Sequence, residues 1–253
     1  MPRHSDLPDI VSQDWDEFKD DFRTAWKPGQ HVSLIAPTGA GKTTFAEGLM
    51  SLRRYVVVLD VKGNDSTLDR FGFPRLRTWP GAKTMTRQVI QNDSDQLPSR
   101  YILGNANRTE SDAKNLASMI DRFLDDAWEM GGWTVYADEL MLLTDRRMMK
   151  LGAKVDRMLV SARDRGISFV SSFQSPTWVT PMAGKQSSWV AISYTRDVDV
   201  VNRLAEILGR PKHEIRGAVK GLEPYCWIVA GNNPREPLRI TMPDYLPERR
   251  TPA

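Results

Sequence analysis

The sequence predicts an α/β domain in which a mostly parallel central sheet carries helices on both faces. Three observations support this. Strand-like apolar runs at 31–35, 55–61, 133–137, 167–173, 188–194 and 225–230 are interspersed with helical patterns, the arrangement that builds parallel sheets. The run at 55–61 is continuous and rich in β-branched valine, as a strand buried on both faces requires. A glycine-bearing loop, Ala36-Pro37-Thr38-Gly39-Ala40-Gly41-Lys42-Thr43, lies between the first strand and a helical pattern at 44–52. Strand, loop and helix in that order form the context of a phosphate-binding P-loop.

The elements follow in order. Trp15, Phe18, Phe22 and Trp26 recur at helical spacing, predicting a helix over 14–26 that packs an aromatic stripe on the domain. Pro28-Gly29 turns the chain into the strand at 31–35. Residues 62–100 read as irregular, with glycine, proline and basic residues. A helix is expected over 111–130, and the strand at 133–137 closes on Asp138-Glu139. A long basic helix over 146–163 leads into the strand at 167–173. A helix over 198–208 and an edge strand at 238–242 precede a Pro/Arg-rich tail.

Composition narrows the function classes. The 253 residues and 40% apolar content suit one larger α/β domain. Net charge is only +3, but it is unevenly spread. Residues 1–30 hold four Lys/Arg against seven Asp/Glu, 62–90 hold six against two, and 145–165 hold seven against three. A nucleic-acid face opposite an acidic one has this asymmetry, and so do ordinary solvated helix faces. The single cysteine, Cys226, excludes an intrachain disulfide and lies in an apolar run, as a core thiol does. His4, His31 and His213 lack metal-ligand spacing. No apolar stretch approaches the ~20 residues of a membrane span, and Asp6 and Asp9 do not fit a signal peptide. The expected location is soluble and intracellular, in the cytoplasm.

The loop sets the chemistry. The backbone over Ala36, Pro37, Thr38, Gly39, Ala40 and Gly41 must turn its N–H groups around a phosphate, which needs small residues at the tight bends. The helix beginning at Lys42, Thr43 and Thr44 then points its partially positive end at the same charge. Lys42 would reach the β- and γ-phosphates, and the Thr43 hydroxyl would ligate Mg²⁺. Asp138, at a strand's carboxyl end, would hold the metal shell, and Glu139 would polarise the attacking water as general base. The two carboxylates could instead cap the following helix. Gln174, just past another strand, can report the γ-phosphate or form a turn. Arg163 and Arg165 can neutralise phosphate charge in a neighbouring subunit's site or serve as helix C-terminal cations. ATP with Mg²⁺, hydrolysed, is the expected chemistry.

Four segments taken together resemble a known family. They are the P-loop, Val-Val-Val-Leu-Asp60-Val-Lys62-Gly63, Ala-Asp138-Glu139, and Ala-Arg163-Asp-Arg165-Gly166-Ile-Ser-Phe-Val-Ser-Ser-Phe-Gln174-Ser-Pro. In this order they resemble the FtsK–HerA superfamily of DNA-pumping ATPases across residues 30–230. The resemblance implies a RecA-like P-loop NTPase of the ASCE type. It also implies a homo-oligomeric ring, pentamer or hexamer, with ATP at the interfaces and double-stranded DNA in the pore. It places Gln174 at the family's sensor position and the arginine fingers at Arg163–Arg165. The short chain is most similar to viral and phage genome-packaging ATPases, with a capsid portal or other docking protein as partner. The other functional expectations are a plasmid or cellular DNA-transfer or segregation ATPase and a nucleotide-dependent assembly switch. Lys62, Arg70, Arg75, Arg77, Lys83 and Arg87 are the expected DNA contacts. The expected organisation is an N-terminal helical extension over 1–27, the ATPase domain over 28–232, and an edge strand with tail over 233–253.

Overall fold

The computed structural model describes residues 10–63, 65–105, 109–175 and 181–244. His4, Asp6, Asp9 and the end of the expected tail, 245–253, lie outside them. The first half contains β1 (Ile10–Ser12), α1 (Trp15–Ala25), β2 (His31–Ile35), α2 (Lys42–Ser51), β3 (Tyr55–Leu59), β4 (Arg75–Leu76), α3 (Ala82–Ser94), β5 (Ser99–Leu103) and α4 (Glu110–Met130). The second contains β6 (Thr134–Ala137), α5 (Leu140–Thr144), α6 (Gly152–Ser161), β7 (Ser168–Phe173), α7 (Pro181–Lys185), β8 (Ser187–Ser193), α8 (Val198–Leu208), α9 (Lys212–Lys220), β9 (Trp227–Gly231) and β10 (Leu238–Thr241).

These strands form one ten-stranded sheet in the order β1-β10-β9-β8-β2-β7-β6-β3-β5-β4. All its pairings are parallel except those of β9 with β8 and β10. Alternation along β3 shows why both faces are covered. Val57 and Leu59 join a core with Ile120 and Phe123 of α4, Val155 of α6 and Leu204 of α8. Val56 and Val58 join the opposite core with Phe18 and Phe22 of α1 and Phe45 and Leu49 of α2. Each such buried side chain contributes about 1.5–3 kcal/mol of transfer free energy. The expected aromatic stripe is therefore core, stacked at 5.2–5.7 Å from Phe18 through Phe22 to Trp26. The expected mostly parallel α/β fold is the fold found.

Residues 62–100 depart from the irregular segment the sequence suggests. They hold a 3-10 turn, Ser66–Phe71, then β4, α3 and the start of β5. Helix α3 buries only Met85, so it has no apolar stripe to read. Strand β5 opens on Ser99 and Arg100, and Arg100 reaches back to the carbonyls of Arg53 and Ser51. The expected long helix at 146–163 is also corrected. Asp145 accepts from the N–H groups of Arg147 (2.7 Å) and Met148 (3.1 Å), a side-chain turn that ends α5. Helix α6 starts only after Lys150, which has φ +60°. Strand β1 and helix α9 were not anticipated.

One junction ties β2 to the segment ahead of β7. Gly29 has φ +82°, and a Cβ there would sit 2.4 Å from the Arg163 carbonyl oxygen, so only glycine fits. Next to it His31 is buried, accepting from Phe169 N–H at Nδ1 (2.9 Å) and facing the Leu159 carbonyl with Nε2 (3.0 Å). That pairing fixes a neutral ring with its proton on Nε2. Burial lowers the His31 pKa from 6.5 to about 4, against the Leu159 hydrogen bond and with help from the Arg163 charge. The unfolded chain therefore binds the extra proton first as pH falls. Stability should be fully present above pH 6.5 and decline toward pH 4, by about 3 kcal/mol at most. Urea unfolding of His31→Gln should show a flatter profile across that window. An unchanged slope would assign the acid sensitivity to other groups.

Candidate nucleotide site

Strands β2, β7, β6 and β3 are adjacent and parallel, so their carboxyl ends share one edge of the sheet. Each delivers a candidate group there. Beyond β2 the loop 36–41 bends through Gly39 (φ +81°) and Gly41 (φ +85°), left-handed positions that favour glycine. Helix α2 follows with no acidic residue in its first turn and no side-chain cap. Its N-terminal dipole is thus left open to an anion. Lys42 Nζ donates to the carbonyls of Ala36 (2.8 Å) and Pro37 (3.0 Å), bracing the loop from inside. Burial lowers the Lys42 pKa, opposed by the charges of Glu139 and Asp138. Thr43 is half-buried on the first turn, while Thr44 is buried.

Beyond β6, Asp138 is buried and held on both oxygens. Tyr136 Oη donates to Oδ1 (2.7 Å), and Lys62 Nζ, arriving from beyond β3, binds Oδ2 (3.1 Å). Glu139 occupies the position ahead of α5 but its side chain makes no hydrogen bond to that helix. The capping alternative therefore does not describe this glutamate. Burial raises the Glu139 pKa, and the charges of Lys62 and Lys42 oppose the rise. Its carboxylate holds a proton more readily than an exposed one would. Gln174 directly follows β7, between the P-loop strand and the acidic strand, and is half-buried.

A hydroxyl on Thr43 and a carboxylate on Asp138 are hard oxygen donors of the kind Mg²⁺ takes. Asp138 Oδ2 already faces a cation, the Lys62 ammonium, so this donor set fits the ion. Among the described residues no group of three or more His, Cys, Asp or Glu is clustered to cage a metal.

Beside the loop lies a cavity of about 390 Å³, lined by Pro37, Thr38, Gly39 and Ala40 on one side. Tyr194, Arg196, Leu222, Pro224 and Tyr225 line the other. Tyr225 holds φ +67°, and its ring would lie 3.5 Å from a Cβ at Gly41. Backbone strain of this kind gathers at ligand clamps. The loop side of this lining is legible in the sequence, whereas Tyr194, Arg196, Leu222, Pro224 and Tyr225 are not, because they come from segments far from the loop in the chain.

The six expected DNA-contacting residues differ in their partners. Lys62 pairs with Asp138 and Asp65, Arg70 with Glu47 (3.6 Å), and Arg75 with Asp60 and Asp69. Arg77, Lys83 and Arg87 are exposed and make no ion pair among the described residues. Arg163 and Arg165 lie ahead of β7, Arg163 packed against Gly29 in the turn that begins β2 and Arg165 accepting the Gly132 N–H ahead of β6 at its carbonyl. They are at the amino ends of the strands, with the length of β2, roughly 16 Å at 3.3 Å per residue, between them and the P-loop. Arg165 is engaged, donating to the Trp128 carbonyl (2.9 Å) with its guanidinium 4.8 Å from the Trp128 ring. The Arg163 side chain is exposed and makes no hydrogen bond or ion pair among the described residues. No described helix is long and apolar enough to cross a membrane.

The fold is that of P-loop NTPases, with the glycine-bearing loop and an acidic pair at one sheet edge. No family model matches the chain, and no curated protein matches it. Among solved structures it is similar to the genome packaging NTPase B204 of Sulfolobus turreted icosahedral virus 2. With sulfate, that structure gives a TM-score of 0.62 at 14% identity, covering 87% of this chain and 99% of that one. With ATP-gammaS it gives 0.60 at 14% identity, covering 86% and 99%. VirB4 of Thermoanaerobacter pseudethanolicus gives 0.57 at 10% identity, covering 83% and 89%. The fold implied by the FtsK–HerA resemblance is the fold these structures share.

Proposed function

We propose that the protein is an Mg²⁺-dependent ATP hydrolase that drives double-stranded DNA through a homo-oligomeric ring, packaging a viral genome at a portal or similar docking protein. The observation that supports hydrolysis best is Glu139, beside the buried Asp138, half-buried and not used as a helix cap. Thr43 and Asp138 would hold Mg²⁺, which when bound would supply positive charge against the phosphates during transfer. The residues supply the rest. The loop and Lys42 orient the phosphates, Tyr136 orients Asp138, and Glu139 accepts the proton of the attacking water. The cavity beyond the loop, walled by Tyr225 and Arg196, suits the base of the nucleotide. Arg163, at the opposite edge and without a side-chain partner among the described residues, suits a role in a neighbouring subunit's site better than Arg165. The packaging reading is supported by likeness to B204, a genome packaging NTPase, and by the exposed cations Arg77, Lys83 and Arg87.

Glu139→Gln keeps the side-chain shape but cannot take the proton. It should retain ATP binding while turnover drops about 10²–10⁴-fold. Loss of nucleotide affinity in that variant would make Glu139 structural. For translocation, duplex DNA should raise the ATPase rate, and binding should weaken steeply with salt. A protein that hydrolyses ATP but ignores duplex DNA would remove the motor reading and leave the hydrolase.

A further inference from the structure

We propose that Lys62 is a second phosphate-directed lysine of the nucleotide site, resting on Asp138 until the terminal phosphate of ATP replaces that partner. The inference rests on the nucleotide reading above and reassigns a residue expected to touch DNA. Its geometry is specific. Lys62 follows β3, whereas the P-loop follows β2, and β7 and β6 lie between them. The two lysines therefore approach Asp138 and Glu139 from opposite sides. Lys42 comes with the loop that cradles the phosphate chain. Lys62 comes from the far side, where the chain's terminal end must point for Glu139 to activate water against it.

The turn that carries Lys62 is built to hold it there. Asp60, 1% exposed, accepts the Asp65 N–H (2.8 Å) and the Arg75 guanidinium on the same oxygen. Gly63 (φ +73°) donates its N–H to the Asp60 carbonyl (3.2 Å). Asp65 meets the Lys62 ammonium at 3.4 Å, so the lysine lies between two carboxylates. A surface lysine that only contacts DNA needs no such anchorage. Yet Asp138 is also the carboxylate suited to Mg²⁺. A divalent ion and an ammonium compete for one oxygen, and the entering γ-phosphate is the anion next to both. Lys42 has the same character, resting on the carbonyls of Ala36 and Pro37. Both lysines are satisfied by the protein in a way that phosphate can replace.

A cation that meets only the γ-phosphate discriminates ATP from ADP. The test is binding of ATPγS and of ADP, each with Mg²⁺, to the full-length wild type, Lys62→Met and Lys62→Arg. In Lys62→Met, ATPγS affinity should fall about ten- to hundredfold, the value of a charge-assisted hydrogen bond, with ADP affinity within about twofold of wild type. Lys62→Arg should recover part of the ATPγS affinity. Equal losses for both nucleotides would make Lys62 a structural brace and overturn the proposal. Unchanged nucleotide affinities with weakened duplex-DNA binding would also overturn it and restore the DNA contact. Wild-type protein that binds neither nucleotide would instead remove the function on which the inference rests.

Discussion

Lys42→Ala should bind ATP weakly and lose turnover by about 10²–10³-fold or more, the effect of removing one preorganised donor from a charged transition state. The structure gives reasons on both sides of the reaction. Burial lowers the pKa of the Lys42 ammonium, and the acidic pair opposes that shift. The two carboxylates favour the ammonium form inside a half-buried loop, where a cation is worth more to a phosphate than in water. Alanine also leaves the carbonyls of Ala36 and Pro37 without their donor, so the empty loop should loosen. Alanine is a good helix former at the start of α2, and thermal unfolding should shift little. A steady-state assay with a melting curve separates these effects. Wild-type turnover in the variant would remove the nucleotide site as drawn. Lost turnover together with a large drop in melting temperature would place Lys42's main role in the fold.

The sequence was most legible where local chemistry and periodicity agree. The P-loop, with glycines at two left-handed positions, and Asp138-Glu139 at the end of β6 lie where their patterns place them. The aromatic stripe on α1 could be read because helical spacing alone puts Trp15, Phe18 and Phe22 on one buried face. Edge elements were not legible. α3 covers the sheet with one buried methionine, and β1 has three exposed residues that pair with β10 only after the chain has closed. Neither leaves a periodic signal. Tyr136 could have been found, since it lies two residues before Asp138 on one strand face. Lys62 could not be placed at Asp138 from spacing, because the adjacency of β3 and β6 is a property of topology. Its charge was visible in the sequence. Its partner, 76 residues away, was not.

Arg163→Ala and Glu139→Gln should each be nearly inactive alone and recover activity when mixed. The position of Arg163 makes this expectation specific. It sits at the amino edge of the sheet beside Gly29, with the whole of β2 between it and the loop of its own subunit. No side-chain rotation covers that distance, so Arg163 can act on phosphate only in a neighbouring subunit. An arginine supplied in this way is worth about 10³–10⁵ in rate. Activity of the wild type should then rise more than linearly with protein concentration until subunits assemble. In a mixed ring some interfaces pair an intact Glu139 with an intact Arg163, and those interfaces should turn over. Arg165→Ala serves as the contrast. Its guanidinium already binds Trp128, so its loss should lower stability by about 0.5–1 kcal/mol and leave most of the rate. If Arg165→Ala is the inactive variant and Arg163→Ala keeps the wild-type rate, the Trp128 contact opens on assembly and the roles reverse. If the mixture stays as inactive as its parts despite co-assembly seen by light scattering, these arginines hold the junction of β2 and β7 and take no part in the neighbouring site.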